Sequence, residues 1–174
     1  METRTATILG CGIAGSWVAH HLVAHDYKRF VLFGASYDPS TLLRLGPFSE
    51  GHAELQTSAL TLASHLLSLS PDLTIELHGN FNPDRDRGFV KGDVVGAMGG
   101  KAALPLCAGG AFIARSQGGR WITLALPSEP GNPIIISENP DDLTPQYLTG
   151  TPLCSREEIS SSAAEAASRL VSAS

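Results

Sequence analysis

The sequence predicts an α/β protein with a Rossmann-like, doubly wound, mostly parallel sheet and helices on both faces. Three observations carry this. The stretch ATILGCGIAGSWVAHHL runs an apolar strand straight into Gly10, Gly12 and Gly15 and then into a helical pattern, which is the G-x-G-x-x-G spacing in its strand-to-helix context. Strand and helix patterns then alternate in the order βαβαβ, as a parallel sheet with crossover helices requires. The 174 residues, 43% of them apolar, suit a single domain around one substantial core, residues 1–174.

Each element follows from local pattern. Thr5–Leu9 reads as the first strand and about Ala14–His25 as the first helix. RFVLFG, Arg29–Gly34, is a short apolar strand, and ASYDPSTLLRLGPFSEG reads as a loop. From about His52 to Leu69, Leu55, Leu60, Leu62, Leu66 and Leu67 recur at helical spacing. Ser70–Asp72 (SPD) stops this helix, because proline disfavours helix in the residue before it. LTIELH, GDVVGAM, AFIARS and RWITLAL read as four further strands, with surface loops near Phe81–Arg87 and Pro127–Pro133. The final segment is a helix whose start is marked by Ser155 and Glu158, a capping box.

Bulk properties exclude several classes of function. A net charge of −5 without any Lys/Arg cluster argues against nucleic acid as a partner. No run approaches the roughly 18 apolar residues of a membrane span, and the first residues enter a strand directly, leaving no room for a signal peptide. Cys11, Cys107 and Cys154 are too scattered for a disulfide framework or a zinc knuckle, which predicts a reducing, cytoplasmic setting.

The glycine turn has its own chemistry. The first glycine allows the tight turn, the second lets backbone approach a phosphate, and the third lets helix pack on strand. The helix N-terminus adds unpaired N–H groups and the positive end of a dipole. The same spacing also fits NAD or FAD, but the acidic ribose ligand expected about 20 residues on is missing.

From GCGIAGS at Gly10–Ser16 through RFVLFG, STLLRLGPFSEGHAE and LASHLLSLSPDLTIE, the sequence resembles the ThiF/MoeB family. That is the fold of the ubiquitin-activating enzymes and their sulfur-carrier relatives. The resemblance covers roughly Thr5 to Ile75, and its specificity lies in the order and spacing of the landmarks. It implies an ATP- and magnesium-dependent adenylyltransferase, usually a homodimer, that activates the C-terminal carboxylate of a ubiquitin-like or sulfur-carrier protein. It assigns nucleotide contacts to Gly10, Gly12, Gly15, Ser16 and Arg44, with Lys101 as a partial stand-in for lost charge.

The departures from the family pattern fall on charged positions. The ribose-binding acid is replaced by Phe33 and Gly34, the asparagine by Thr41, and the glutamine by Leu45. The phosphate-binding lysine falls at Glu54 and the magnesium-binding aspartate near Gly99, and the paired C-x-x-C zinc motif is missing. Adenylation needs cations on the phosphoryl oxygens. At an effective dielectric of about 20, unit charges 4 Å apart interact by about 4 kcal/mol, so a lysine-to-glutamate change turns attraction into repulsion of that order.

Cys154, in TPLCSREE, resembles the thioester-forming cysteine of ubiquitin-activating enzymes. The helix start and Arg156 would lower its pKa, while Glu157 and Glu158 oppose them; the alternative is a small residue packed under the helix. Cys11 and Cys107 read as structural, and His20, His21 and His25 as surface residues without the further ligands a metal needs.

Three functions remain open. The first is a ThiF-like domain that has lost adenylation and works by binding a ubiquitin-like tail, a peptide or an assembly protein. The second is a divergent adenylyltransferase with Cys154 as acceptor, and the third a dinucleotide-dependent oxidoreductase. A homo-oligomer, a dimer, is expected, with AFIARSQGGRWITLAL as a possible interface.

Overall fold

The computed structural model describes residues 3–35, 39–48, 57–98, 103–143 and 152–172. Six strands, β1 (Arg4–Leu9), β2 (Tyr27–Phe33), β3 (Thr74–His78), β4 (Asp93–Gly96), β5 (Trp121–Ala125) and β6 (Ile135–Ser137), form one sheet in the order β3-β2-β1-β4-β5-β6. All neighbours are parallel except β5 and β6. Helices α1 (Ile13–Val23), α3 (Ser58–Leu69) and α6 (Arg156–Ser172) bury Val18, Leu22, Leu62, Leu66, Ile159 and Leu170 against one face. On the other face α5 (Ala103–Ser116) buries Cys107, Ala111 and Ala114 against Leu9, Val94 and Trp121. Two short helices, α2 (Pro39–Leu45) and α4 (Pro83–Asp86), sit in the connections after β2 and β3. Among the described residues no helix is long and apolar enough to cross a membrane.

Several elements differ from the sequence reading. AFIARS is the end of α5 and not a strand. Its buried residues Ala103, Cys107, Gly110, Ala111 and Ala114 follow helical spacing across the glycine pair. Gly110 lies against the sheet there, where a Cβ would sit 2.6 Å from Leu9 Cδ1. Residues 39–45, read as loop, are α2, with Pro39 at its start and Leu42 and Leu45 buried. The loop near Phe81–Arg87 contains α4, whose first N–H groups are capped by the Asn82 side chain. The helix expected from about His52 has its N-cap at Thr57, whose hydroxyl accepts from the Leu60 N–H at 3.1 Å; residues 52–56 lie outside the described residues. The edge strand β6 was not read at all.

The capping box of α6 is formed in both directions: Glu158 N–H donates to Ser155 Oγ and Ser155 N–H to Glu158 Oε1. Arg156, one residue later, lays its guanidinium 5.3 Å from the Trp17 ring and donates from Nε to the Gly46 carbonyl. The Trp17 indole N–H donates to the Leu45 carbonyl at 2.6 Å. These contacts tie α1, the end of α2 and α6 together.

His20 and His21 are half-buried in this region and are not plain surface residues. His20 Nδ1 and His65 Nε2 are 2.9 Å apart with stacked rings, and His21 Nε2 pairs with Ser160 Oγ. Burial first, and then the neighbouring His21 and Arg156, pull the His20 pKa below its ordinary value. His21 is lowered by burial and by His25, against an opposing hydrogen bond from Ser160. Both rings therefore bind protons more weakly in the folded chain than in the unfolded one. Stability is complete above the unfolded value of about 6.5 and is lost as pH falls below it toward the folded pKa values. Thermal unfolding is expected to give a lower midpoint at pH 5 than at pH 7.5, and His20→Gln should flatten that dependence. An equal slope in the variant would show that other groups cause it.

Candidate functional site

The carboxyl ends of β1, β2 and β4 lie side by side, with Leu9 in register with both Phe33 and Gly96. The pairing runs one residue past each strand: Gly10 N–H donates to the Phe33 carbonyl and Ala97 N–H to the Leu9 carbonyl, both at 2.9 Å. Because the order turns outward in both directions from β1, a crevice opens here, where open α/β sheets bind ligands. It is a cleft of about 410 Å³, walled by the glycine turn, Phe33, Gly34, Ser58, Asn80, Phe81, Ala97, Met98 and Leu106.

Close backbone approach requires two of the three glycines, and the third borders open space. Gly10 has φ +99°, and a Cβ there would meet the Ala97 carbonyl oxygen at 2.6 Å. Gly15 lies so close under the turn that a Cβ would sit 1.9 Å from the Gly10 carbonyl oxygen. A Cβ at Gly12 would meet nothing within 4 Å, so this position borders open space at the cleft. Gly12 caps α1 without any side-chain hydrogen bond, and the first turn carries no acidic residue. Its N–H groups and dipole are thus free to face a ligand.

The remaining residues singled out from the sequence are dispersed. Ser16 is fully buried and its hydroxyl donates to the Cys11 carbonyl at 3.1 Å, so it turns inward from the cleft. Arg44 is exposed on the last turn of α2 and does not line the cleft. Glu54, Gly99 and Lys101 lie outside the described residues. Cys154 is 8% exposed and packed in the core beside α6. Burial, and then Glu158, push its thiol above the ordinary range, the reverse of the activation that a helix start would give. Arg156 is occupied by Trp17 and Gly46. Cys11 does border the cleft, but burial raises its pKa strongly, and burial pushes Cys107 up to about 11. Among the described residues no group of three or more His, Cys, Asp or Glu converges as a metal site.

The packing at the end of β2 is tight. Phe33 is buried, stacked on His78 at 4.7 Å and edge-on to Phe81 at 5.2 Å. A Cβ on Gly34 would lie 2.6 Å from Ser58 Oγ and 3.0 Å from Cys11 Cβ. Sequence reasoning missed Ser58, Asn80, Phe81 and Leu106, which reach the cleft from α3, α5 and the segment after β3. Ser58 is 4% exposed, and its hydroxyl has no hydrogen-bond partner among the described residues. The one signal available was position, since three of the four stand near a strand end or the start of a helix.

No family model and no curated protein sequence matches the chain. Solved structures do match in three dimensions. The microcin C7 biosynthetic enzyme MccB in complex with N-formylated MccA superposes with a TM-score of 0.68 at 13% identity, over 97% of this chain and 56% of that one. The chain has a ThiF-like Rossmann-type fold. E. coli MccB with ATP matches at 0.67 and 14% identity over 97% and 55% of the two chains. E. coli tRNA N6-threonylcarbamoyladenosine dehydratase, TcdA, matches at 0.60 and 16% identity over 72% and 53%. This ThiF-like chain therefore spans about half the length of each neighbour, and at these identities the likeness is one of fold.

The glycines give a direct test. Gly15→Ala should lower stability by about 3 kcal/mol or more, through overpacking against backbone that cannot yield. Gly12→Ala, with φ −78° and open space ahead of it, should cost only about 1 kcal/mol, the loss of a favourable N-cap residue. Urea midpoints at unchanged slope measure both. Equal losses would mean that the close approach at Gly15 is not what holds α1 to the sheet.

Proposed function

We propose that this chain is a degenerate member of the ThiF/MoeB family that has lost ATP-dependent adenylation and acts by binding protein, as an accessory or assembly component. One observation carries this reading. Among the described residues the cleft at the glycine turn is lined without a single charged side chain. Adenylation develops negative charge on phosphoryl oxygens, and an active site offsets it with lysine, arginine and magnesium held by carboxylates. Phe33 and Gly34 stand in packed core where the family pattern would put the ribose acid, and Cys154 is buried with a raised pKa, which argues against a poised acceptor.

The same scaffold in MccB is seen with MccA bound, which favours a peptide or protein tail as the partner class here, with a second copy of the chain as the expected oligomer. The preserved shape of the turn, with Gly12 open and α1 uncapped, is what favours the alternative of a divergent adenylyltransferase.

Calorimetric titration separates the two. ATP with magnesium should give no binding heat up to millimolar nucleotide. A micromolar dissociation constant, followed by ATP–pyrophosphate exchange in the presence of a carrier tail, would overturn the degenerate reading.

A further inference from the structure

The face of the sheet that carries α5 is open over β2 and β3. There a groove of about 270 Å³ is lined by Thr5, Arg29, Phe30, Val31, Thr74, Glu76, Phe89 and Lys91. Its floor follows from strand register. Thr5 pairs with Arg29 and Arg29 with Thr74, so the three side chains stand in one row across three strands and on one face. The wall follows from one buried hydroxyl. Thr7 Oγ1 donates to the Lys91 carbonyl at 2.7 Å and accepts from the Lys91 N–H at 2.9 Å, which pins Lys91 over the sheet. Phe89, 45% exposed, leans on the His78 ring at 4.5 Å and forms the apolar side.

The charges in this groove are unusual for the molecule. Among the described residues, every arginine and lysine side chain lies against a carboxylate, a carbonyl or an aromatic ring except Arg29, Arg44 and Lys91. Two of these three share the groove. Both are exposed, in a chain of net charge −5 that offers acidic groups elsewhere. The groove's own carboxylate, Glu76, is already held by His78 Nε2 at 2.8 Å. The hydroxyls of Thr5 and Thr74, on either side of Arg29, make no hydrogen bond among the described residues. Cations on pinned backbone, free hydroxyls and an exposed ring within one concavity are complementary to an anionic head and an apolar body.

We propose that this groove binds a small organic oxyanion, a phosphate monoester or a carboxylate. The charged head lies between Arg29 and Lys91 and the apolar part rests on Phe89. The site shares no residue with the cleft at the glycine turn and does not depend on the function proposed for it.

Amide chemical shifts of the labelled chain, titrated separately with phenyl phosphate, benzoate and inorganic phosphate, test this. Saturable shifts at Thr5, Arg29, Thr74 and Lys91 are expected with phenyl phosphate or benzoate. The tighter of the two identifies the head group, and binding should weaken as salt is raised. The double variant R29E/K91E should lose at least tenfold in affinity and Phe89→Ala at least threefold. Arg44→Glu, the third unpartnered cation, should leave the shifts unchanged. Unperturbed signals elsewhere in the variants establish that they are folded. Three results would overturn the proposal: no saturable shift, inorganic phosphate binding as tightly as phenyl phosphate, or an acidic peptide binding there when neither aromatic probe does.

Discussion

Backbone meets backbone closely where α1 passes under the turn that follows β1. At Gly15 there is no room for even a methyl group beneath the Gly10 carbonyl, and at Gly10 none beside the Ala97 carbonyl. That proximity sets the height of α1 over the sheet. Helix α1 in turn presents Trp17 to the end of α2, His20 to α3 and His21 to α6. Raising the helix by the width of a methyl group would break these contacts together, because close-packed interiors transmit such a shift instead of absorbing it.

The parts of the fold that were legible in the sequence are those with a strong local cause. Strands β1, β2 and β4 are apolar runs bounded by glycine, and α6 announces itself through Ser155 and Glu158. The errors have physical sources. Residues 111–116 are apolar enough to pass for a strand, and the glycine pair before them resembles a break. Tertiary contacts, Leu9 and Trp121 against Gly110 and Pro83 against Gly109, explain why a helix carries glycine there. Helix α2 has just seven residues and is held by the Trp17 indole on its last carbonyl, a contact that no window of local sequence contains. In the cleft, Gly10 and Gly12 were legible from their spacing. Ser58, Asn80, Phe81 and Leu106 were not, because tertiary structure alone brings them to the same crevice.

Cys154 shows the limit of arguing reactivity from a neighbouring cap. The helix start it precedes is real, but Glu158 is drawn back onto the Ser155 N–H and brings its charge toward the thiol. The device that stabilises the helix therefore opposes activation of the cysteine. A capping box placed directly after a cysteine is better suited to a structural residue than to a nucleophile.

Packing alone would preserve Gly10 and Gly15 whether or not a nucleotide ever entered the cleft, so these residues speak for the fold and not for a reaction. Charges carry the opposite information. An exposed cation without a partner does nothing for the core, and in the unbound chain it gives up the modest gain of a surface ion pair. Its position therefore reflects either chance or a ligand. The cleft at the carboxyl ends of the strands has no such cation among its described residues, whereas Arg29 and Lys91 stand free toward the amino ends, over β1 and β2.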